Sequence, residues 1–322
     1  MLASRIFDPR RVGLGRGLRL RARAVAPLVV LALSAAPLRS QTIDDSIMMP
    51  KNVLCQGVMY GHDSWDQYWE GTLKRGNGNI GTVTTESLSW SGNYGITDRL
   101  NVITMVPYVW TNASQGTLHG QKGFQDITVA LKYNLLDTPF TKVGNLRAIV
   151  VASGSTPLTD YVPDLLPLTI GSASSHLSGR VTLMFQAKQG WFLESTGSYT
   201  WRDKVTLDRP AYFTDGQLTL SDQVLMPDVF DYKLSAGYSK HGFYIPVSFT
   251  QQITLGGGDI RRQDMPFISN KMNVSKVDGV AMYYLPKPKH LAIRLGANYA
   301  FSGRNVGQAT AFTAGLMYFF HF

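Results

Sequence analysis

The stretch FDYKLSAGY, residues 230–238, divides in two by parity. Phe230, Tyr232, Leu234, Ala236 and Tyr238 form one set; Asp231, Lys233, Ser235 and Gly237 form the other. Successive side chains of a strand point to opposite faces, so this reads as a strand with one apolar and one charged face. LAIRLGANYAF (291–301) repeats the pattern, with Arg294 and Asn298 opposing Leu291, Ile293 and Leu295. In DITVALKYNL (126–135), Asp126 and Lys132 oppose Ile127, Val129 and Leu131. Helical spacing is almost absent after residue 45.

Twelve such segments lie at about 52–62, 80–95, 99–110, 124–136, 144–154, 176–187, 190–202, 229–240, 242–254, 277–285, 289–301 and 309–322. Most have the roughly 9–11 residues that a tilted strand needs to cross a bilayer. Every second connection is short: 95–99, 137–142, 188–190, 240–242 and 286–289. The others, such as 111–123, 155–175, 203–228 and 255–276, are mostly long and polar. A soluble β-sandwich has no reason to sort its loops by length, whereas outer-membrane barrels do. The expected fold is all-β: a transmembrane antiparallel β-barrel of about twelve strands, with short periplasmic turns and long external loops.

Aromatic residues fit two interfacial belts. Trp110, Trp201, Tyr299 and Phe301 fall at long-loop ends, and Tyr133, Trp191, Tyr238, Phe243 and Tyr318 near short turns. The charged fraction of 16% is low against about 25% in ordinary globular chains. No later stretch offers the roughly 20 apolar residues of a membrane helix. Residues 1–23 carry seven arginines and precede the apolar run AVAPLVVLALSAAPL (24–38), the pattern of a secretory signal. The expected organisation is a signal peptide over 1–40 and a barrel over 41–322. Removing 1–40 takes away eight Arg and one Asp, so the 31 basic and 22 acidic residues become 23 and 21, and the charge falls from +9 to +2. The basic pI therefore belongs to the signal and is no sign of nucleic-acid binding. The single cysteine, Cys55, excludes an intrachain disulfide and reads as a strand residue.

Two neighbouring stretches, YGITDRLNVITMVPYVW (94–110) and GFQDITVALKYNLL (123–136), resemble an outer-membrane barrel family labelled "MetA-pathway of phenol degradation". The likeness rests on Tyr94, Gly95, Thr97, Asp98, Pro107, Tyr108, Gly123, Asp126, Lys132 and Tyr133, and covers roughly 49–136. The resemblance implies passage of small hydrophobic or aromatic compounds across the outer membrane. In the turn, Gly95 is expected to take an unusual φ and Thr97 or Asp98 to bond back to nearby amides.

Enzymatic signatures are poor, and no catalytic residue is assigned. GNGNIG (76–81) satisfies the dinucleotide-binding pattern literally, but a strand-like TVTTESLSW follows where a helix is needed. His62-Asp63-Ser64 resembles the His-x-Ser pair of the outer-membrane phospholipase, yet GHDSWDQYW reads as the opening of an external loop. The other histidines lack metal-ligand spacing, so neither a metal nor a cofactor is expected.

The faces opposite the apolar ones carry the candidate site. Asp126, Lys132, Arg147, Arg180, Glu194, Asp231, Lys233, Asp278 and Arg294 are expected to line the lumen, because a cation facing lipid at the midplane costs about 2–4 kcal/mol. Two readings remain for them: a structural charge network, or a constriction that selects solutes. The apolar loop stretches YVPDLLPL (161–168) and RPAYFTDGQLTLSDQVLMP (209–227) either line an entrance or pack into the barrel mouth. The chain closes on GLMYFFHF, a last strand whose terminal Phe322 resembles the signal read by the outer-membrane assembly machinery. The expected function is passive uptake of a small solute, with membrane lipids and that machinery as partners. The alternatives are a structural or assembly-related barrel with a plugged lumen, or a hydrolase using His62 and Ser64.

Overall fold

A computed structural model describes residues 42–261 and 266–322; the expected signal, 1–40, lies outside them. Six wall strands form the first half of the chain: β1 (Val53–Trp65), β2 (Val83–Thr97), β3 (Leu100–Ala113), β4 (Asp126–Thr141), β5 (Gly144–Pro157) and β6 (His176–Ala187). Six more follow: β7 (Trp191–Arg202), β8 (Val229–Lys240), β9 (Phe243–Thr254), β10 (Asn273–Tyr284), β11 (Leu291–Arg304) and β12 (Thr310–His321). Each pairs antiparallel with its neighbours in sequence. The ring closes where β1 meets β2 on one side and β12 on the other, from Val53 opposite His321 to Ser64 opposite Thr310. Closure leaves no free edge, which is the condition for β-structure in hydrocarbon.

The parity read from the sequence sorts the side chains. Leu88, Leu131, Leu183, Leu193, Leu295 and Leu316 are about half exposed on the outer wall. The aromatics expected at both belts lie on this wall too, among them Trp191, Trp201, Phe243, Tyr299 and Tyr318. Apolar exposure on that scale has no place in water and matches lipid. On the last strand, Phe312, Leu316, Tyr318, Phe320 and Phe322 are exposed, while Met317 and Phe319 are buried inside. The amide of Phe322 donates to the Asn52 carbonyl at 3.0 Å, which ties the chain end to the start of β1.

Several boundaries differ from expectation for local reasons. The stretch 137–142 is mostly strand, because β4 runs through bulges to Thr141 and the turn is only 142–143. β10 begins at Asn273, ahead of the expected 277. The external connection 305–309 is short. His62 and Ser64 lie within β1 on its outward parity, where their backbones pair with Phe312 and Thr310; they do not open a loop. GNGNIG follows a small external hairpin, Gln67–Glu70 with Leu73–Gly76, and remains a turn.

Two prolines interrupt the wall. Proline has no N–H to give a ladder and is tolerated at irregularities. At Pro107 the β3–β4 register stops at Met105 opposite Thr128, and resumes with Tyr108 opposite Phe124. The Gln125 amide bridges the gap by donating to the Pro107 carbonyl at 3.0 Å. At Pro246 the β9–β10 register skips from Tyr244 opposite Met282 to Val247 opposite Gly279.

The barrel makes a quantitative demand on its outer face. Replacing Leu183, in the middle of β6, by Arg is expected to lower stability by about 2–4 kcal/mol, measured by reversible denaturant unfolding in lipid vesicles. A cost near zero would mean that this face does not meet hydrocarbon.

Candidate functional site: the occluded lumen

The segment Thr42–Asn52, ahead of β1, lies against lumen-facing residues of the barrel. It has no periodicity, and its shape comes from Asp45. One carboxylate oxygen accepts from the Thr42 amide (2.5 Å) and hydroxyl (3.0 Å), and the other from the Ile47 amide (3.1 Å). These are the local side-chain-to-backbone bonds by which Asp folds a short loop.

Apolar anchors hold the segment on two sides. Ile47 and Met49 are buried with Cys55, Met184, Phe192, Tyr244, Met282, Met317 and Phe319. Ile43 and Met48 pack on Ile103, Ala130, Ile149 and Val151. Phe192 and Tyr244 stack nearly parallel, with centroids 5.5 Å apart.

The lumen charges hold the rest. Lys132, fully buried, donates to Asp45 Oδ1 at 2.9 Å and to the Thr42 carbonyl at 3.0 Å. Arg180 pairs with Asp44, whose carbonyl also accepts from Lys233 Nζ at 3.1 Å. Arg147 donates through Nη1 to the Ser46 carbonyl at 3.3 Å, and its Nε and Nη2 grip Asp137 at 3.0 and 2.9 Å. The Ser46 hydroxyl meets Met184 Sδ at 2.8 Å. Glu194 is buried, 4.0 Å from Lys233 Nζ. A buried charge is tolerable only when paired, and Asp44 and Asp45 supply that pairing from outside the wall.

Four of the expected lumen residues, Lys132, Arg147, Arg180 and Lys233, therefore converge on this segment. Arg294, Asp231 and Asp278 line an adjoining cavity of about 340 Å³, together with Asp44, Asp45, Arg180 and Lys233. Asp231 accepts from the Ser198 hydroxyl (3.4 Å) and Asp278 from the Thr250 hydroxyl (2.7 Å). Asp126 does not join them. It begins β4, six residues before Lys132 near the middle of the strand, and accepts from the Tyr161 hydroxyl at 2.9 Å. Burial and the neighbouring Asp126 push the Tyr161 phenol above its ordinary range.

The exit of the segment explains the Tyr-Gly-x-Thr-Asp motif. Thr97 Oγ1 accepts from the Arg99 and Leu100 amides, as a tight turn requires. Asp98 instead reaches across to the Lys51 amide at 3.0 Å. Gly95 has no positive φ. It is glycine for another reason: a Cβ there would collide with the Pro50 carbonyl, whose chain crosses directly above it.

The external loops share their own apolar cluster. Val205, Leu207, Val224 and Met226 pack with Phe267 and Ile268, and Leu166 and Tyr212 join them. Arg209 pairs with Asp164 at 2.8 Å and sits over the Phe267 ring. The stretches 161–168 and 209–227 thus pack on one another, while Phe213, Leu218, Leu220 and Leu225 remain exposed at the tips. Asp259, on loop 255–272, is fixed by Arg304 and by Asn305 Nδ2 at 2.7 Å. His62 faces Glu86 at 3.6 Å on the outer wall. Glu86 also accepts from the Tyr60 hydroxyl at 2.5 Å and from Trp110. Among the described residues, no hydrogen bond links Ser64 to His62.

The family described as "Putative MetA-pathway of phenol degradation" matches residues 76–316. The match begins later than the likeness read in the sequence, and it extends into the C-terminal half, where only strand pattern was legible. No curated protein matches the sequence. Among solved structures, an outer membrane channel from Pseudomonas putida F1 superposes with a TM-score of 0.69 at 14% identity, over 87% of this chain and 100% of that one. The transport unit of the autotransporter AIDA-I from Escherichia coli gives 0.45 at 9% identity, over 87% and 93%. The monoaromatic hydrocarbon channel CymD gives 0.37 at 9%, over 85% and 89%. The first likeness shows a shared fold; the other two are too distant to carry more.

Two outcomes follow from this geometry. Gly95→Ala is expected to misplace the segment where it leaves the lumen and to raise the conductance of the reconstituted barrel; an unchanged conductance would mean that the Pro50 crossing does not hold the segment. The Arg304 hydrogen bonds hold Asp259 down to about 2, below the roughly 3.9 of a free Asp. An acid depressed in this way stabilises the loop above its unfolded value, and the contribution is lost as pH falls through about 2. Pepsin cleavage within 255–272 should therefore rise between pH 4 and 2, and Asp259→Asn should abolish that step.

Proposed function

Because the chain belongs to the outer-membrane barrel family described as MetA-pathway of phenol degradation, we infer that it is a passive channel for small hydrophobic or aromatic molecules, gated by its own segment 42–52. The observation that carries this reading is the way the lumen is filled. Barrels of about eight strands fill their interior with side chains of their own wall, and wider ones leave room for a separate plug. Here the filling is a separate strip of chain, held by a few apolar anchors and by polar contacts that water can replace, and tied to the wall at Lys51 and Asn52.

Leaving the lumen exposes Ile47 and Met49, each worth about 1.5–3 kcal/mol of burial, and separates Asp44 and Asp45 from Arg180 and Lys132. Charges released into a hydrated lumen regain water, so the loss is smaller than for a dry interior. The closed state then predominates and openings are brief. The apolar tips Phe213, Leu218, Leu220 and Leu225 on the external side offer a surface on which aromatic solutes collect before entry. Phe322, exposed at the end of β12, is assigned to recognition by the assembly machinery and has no part in passage.

The second reading, a structural barrel, is favoured by the completeness of the lock. Planar-bilayer conductance and phenol flux into vesicles separate the two. The wild-type protein is expected to open rarely, and Asp44→Asn with Asp45→Asn to raise open probability at least several-fold. If neither form passes ions or phenol, the barrel is structural.

A further inference from the structure

Resting on the channel reading above, we propose that the lumen holds a binding site for a small monocarboxylate with a compact apolar body, such as an aryl carboxylate. Asp44 and Asp45 occupy that site as internal ligands, and an entering solute carboxylate displaces them.

Three observations converge. The first is the source of the cations. Lys132 and Arg180, from β4 and β6, pair with two carboxylates that do not belong to the wall, while Lys233 of β8 donates to the Asp44 carbonyl and Arg294 of β11 lines the same cavity. Closing a barrel does not need such an arrangement. It is a receptor for carboxylate, with the chain's own aspartates in place.

The second is unused binding capacity. Among the described residues, Arg180 Nε is buried without a hydrogen-bond partner. Arg294 lines the cavity yet has no carboxylate within 4.0 Å among the described residues, its Nη1 meeting only Met59 Sδ at 3.1 Å. Guanidinium groups take carboxylates through paired, planar hydrogen bonds, and these two retain donors to do so.

The third is the cavity beside them. At about 340 Å³ it falls at the small end of ligand pockets, which run roughly 300–1,000 Å³. Its cations are Arg180, Lys233 and Arg294; with Asp44 and Asp45 withdrawn, Asp231 and Asp278 in the cavity lining and Glu194 beside Lys233 are the acids left opposing them. Asp231 and Asp278 already accept from wall hydroxyls. Tyr244, Pro246 and Met282 give the same cavity an apolar side on which a ring can lie. A carboxylate on one side and an apolar surface on the other describe an amphipathic acid. A neutral solute leaves the cations unpaired, and a cationic one adds repulsion.

The test uses the full barrel in planar bilayers with three probes of one shape: benzoate, benzyl alcohol and benzylamine. Benzoate is expected to raise open probability with concentration, at levels where the alcohol and the amine have little effect. Asp44→Asn removes an internal competitor without touching the wall, and should lower the half-effective benzoate concentration about tenfold. Arg180→Gln should erase the preference for benzoate, and Arg180→Lys should restore part of it; heat-modifiable gel mobility checks that these variants fold. The proposal is overturned if benzoate has no advantage over benzyl alcohol, or if Asp44→Asn leaves its half-effective concentration unchanged. Flux of the alcohol with no benzoate preference removes the carboxylate site and leaves the channel standing. Absence of any flux, in wild type and Asp44→Asn alike, removes both.

Discussion

Everything in this molecule depends on one ladder, the pairing of β1 with β12 from Val53–His321 to Ser64–Thr310. Without it the two outermost strands would present unpaired amides and carbonyls to hydrocarbon, at several kcal/mol each. With it, twelve strands become a wall with no edge, and the chain acquires two solvents. The outer parity is matched to lipid and the inner parity to water and charge. The side chains then follow: Leu295 and Arg294 are neighbours in sequence and lie in opposite media.

Closure also creates the problem that segment 42–52 addresses. The wall's own acids pair with some inward cations, as Asp137 does with Arg147, but Lys132 and Arg180 take their ion-pair partners from the segment. Lys132 is the clearest case, since it is wholly buried and its ion-pair partner is Asp45. Asp45 serves twice. The same carboxylate that folds the segment around Thr42 and Ile47 receives the lysine, so the segment's shape and its attachment are one set of bonds. Electrostatics and local geometry cannot be changed separately there.

The fold was legible because its signal is repeated. Period-two alternation appears in every wall strand, and alternating loop lengths orient the barrel without any knowledge of contacts. The inward residues were legible for the same reason, since parity assigns Lys132, Arg180 and Arg294 directly. Parity says nothing of height, which is why Asp126 and Lys132 share a face although one begins β4 and the other lies near its middle. The segment itself was illegible. IDDSIMM has no period, and two adjacent aspartates between a signal and a strand look like a solvated linker. The one legible trace of it is that Lys132 and Arg180 need counter-charges, which Asp45 and Asp44 supply. Gly95 misled in another way: glycine serves either unusual φ or close approach, and sequence does not distinguish them until the Pro50 crossing is seen.

Two of the wall's prolines, Pro107 and Pro246, have a mechanical consequence. The ladder gaps at Pro107 and Pro246 lie between β3 and β4 and between β9 and β10. They divide the ring into two arcs of six strands, β4 to β9 and β10 round to β3. A closed ring cannot widen without breaking bonds, but it can flatten along lines where rungs are missing. Arg180 and Lys233 ride on one arc and Arg294 on the other. Flattening at these gaps would change the span between the two sets of cations, and with it the cross-section of the lumen.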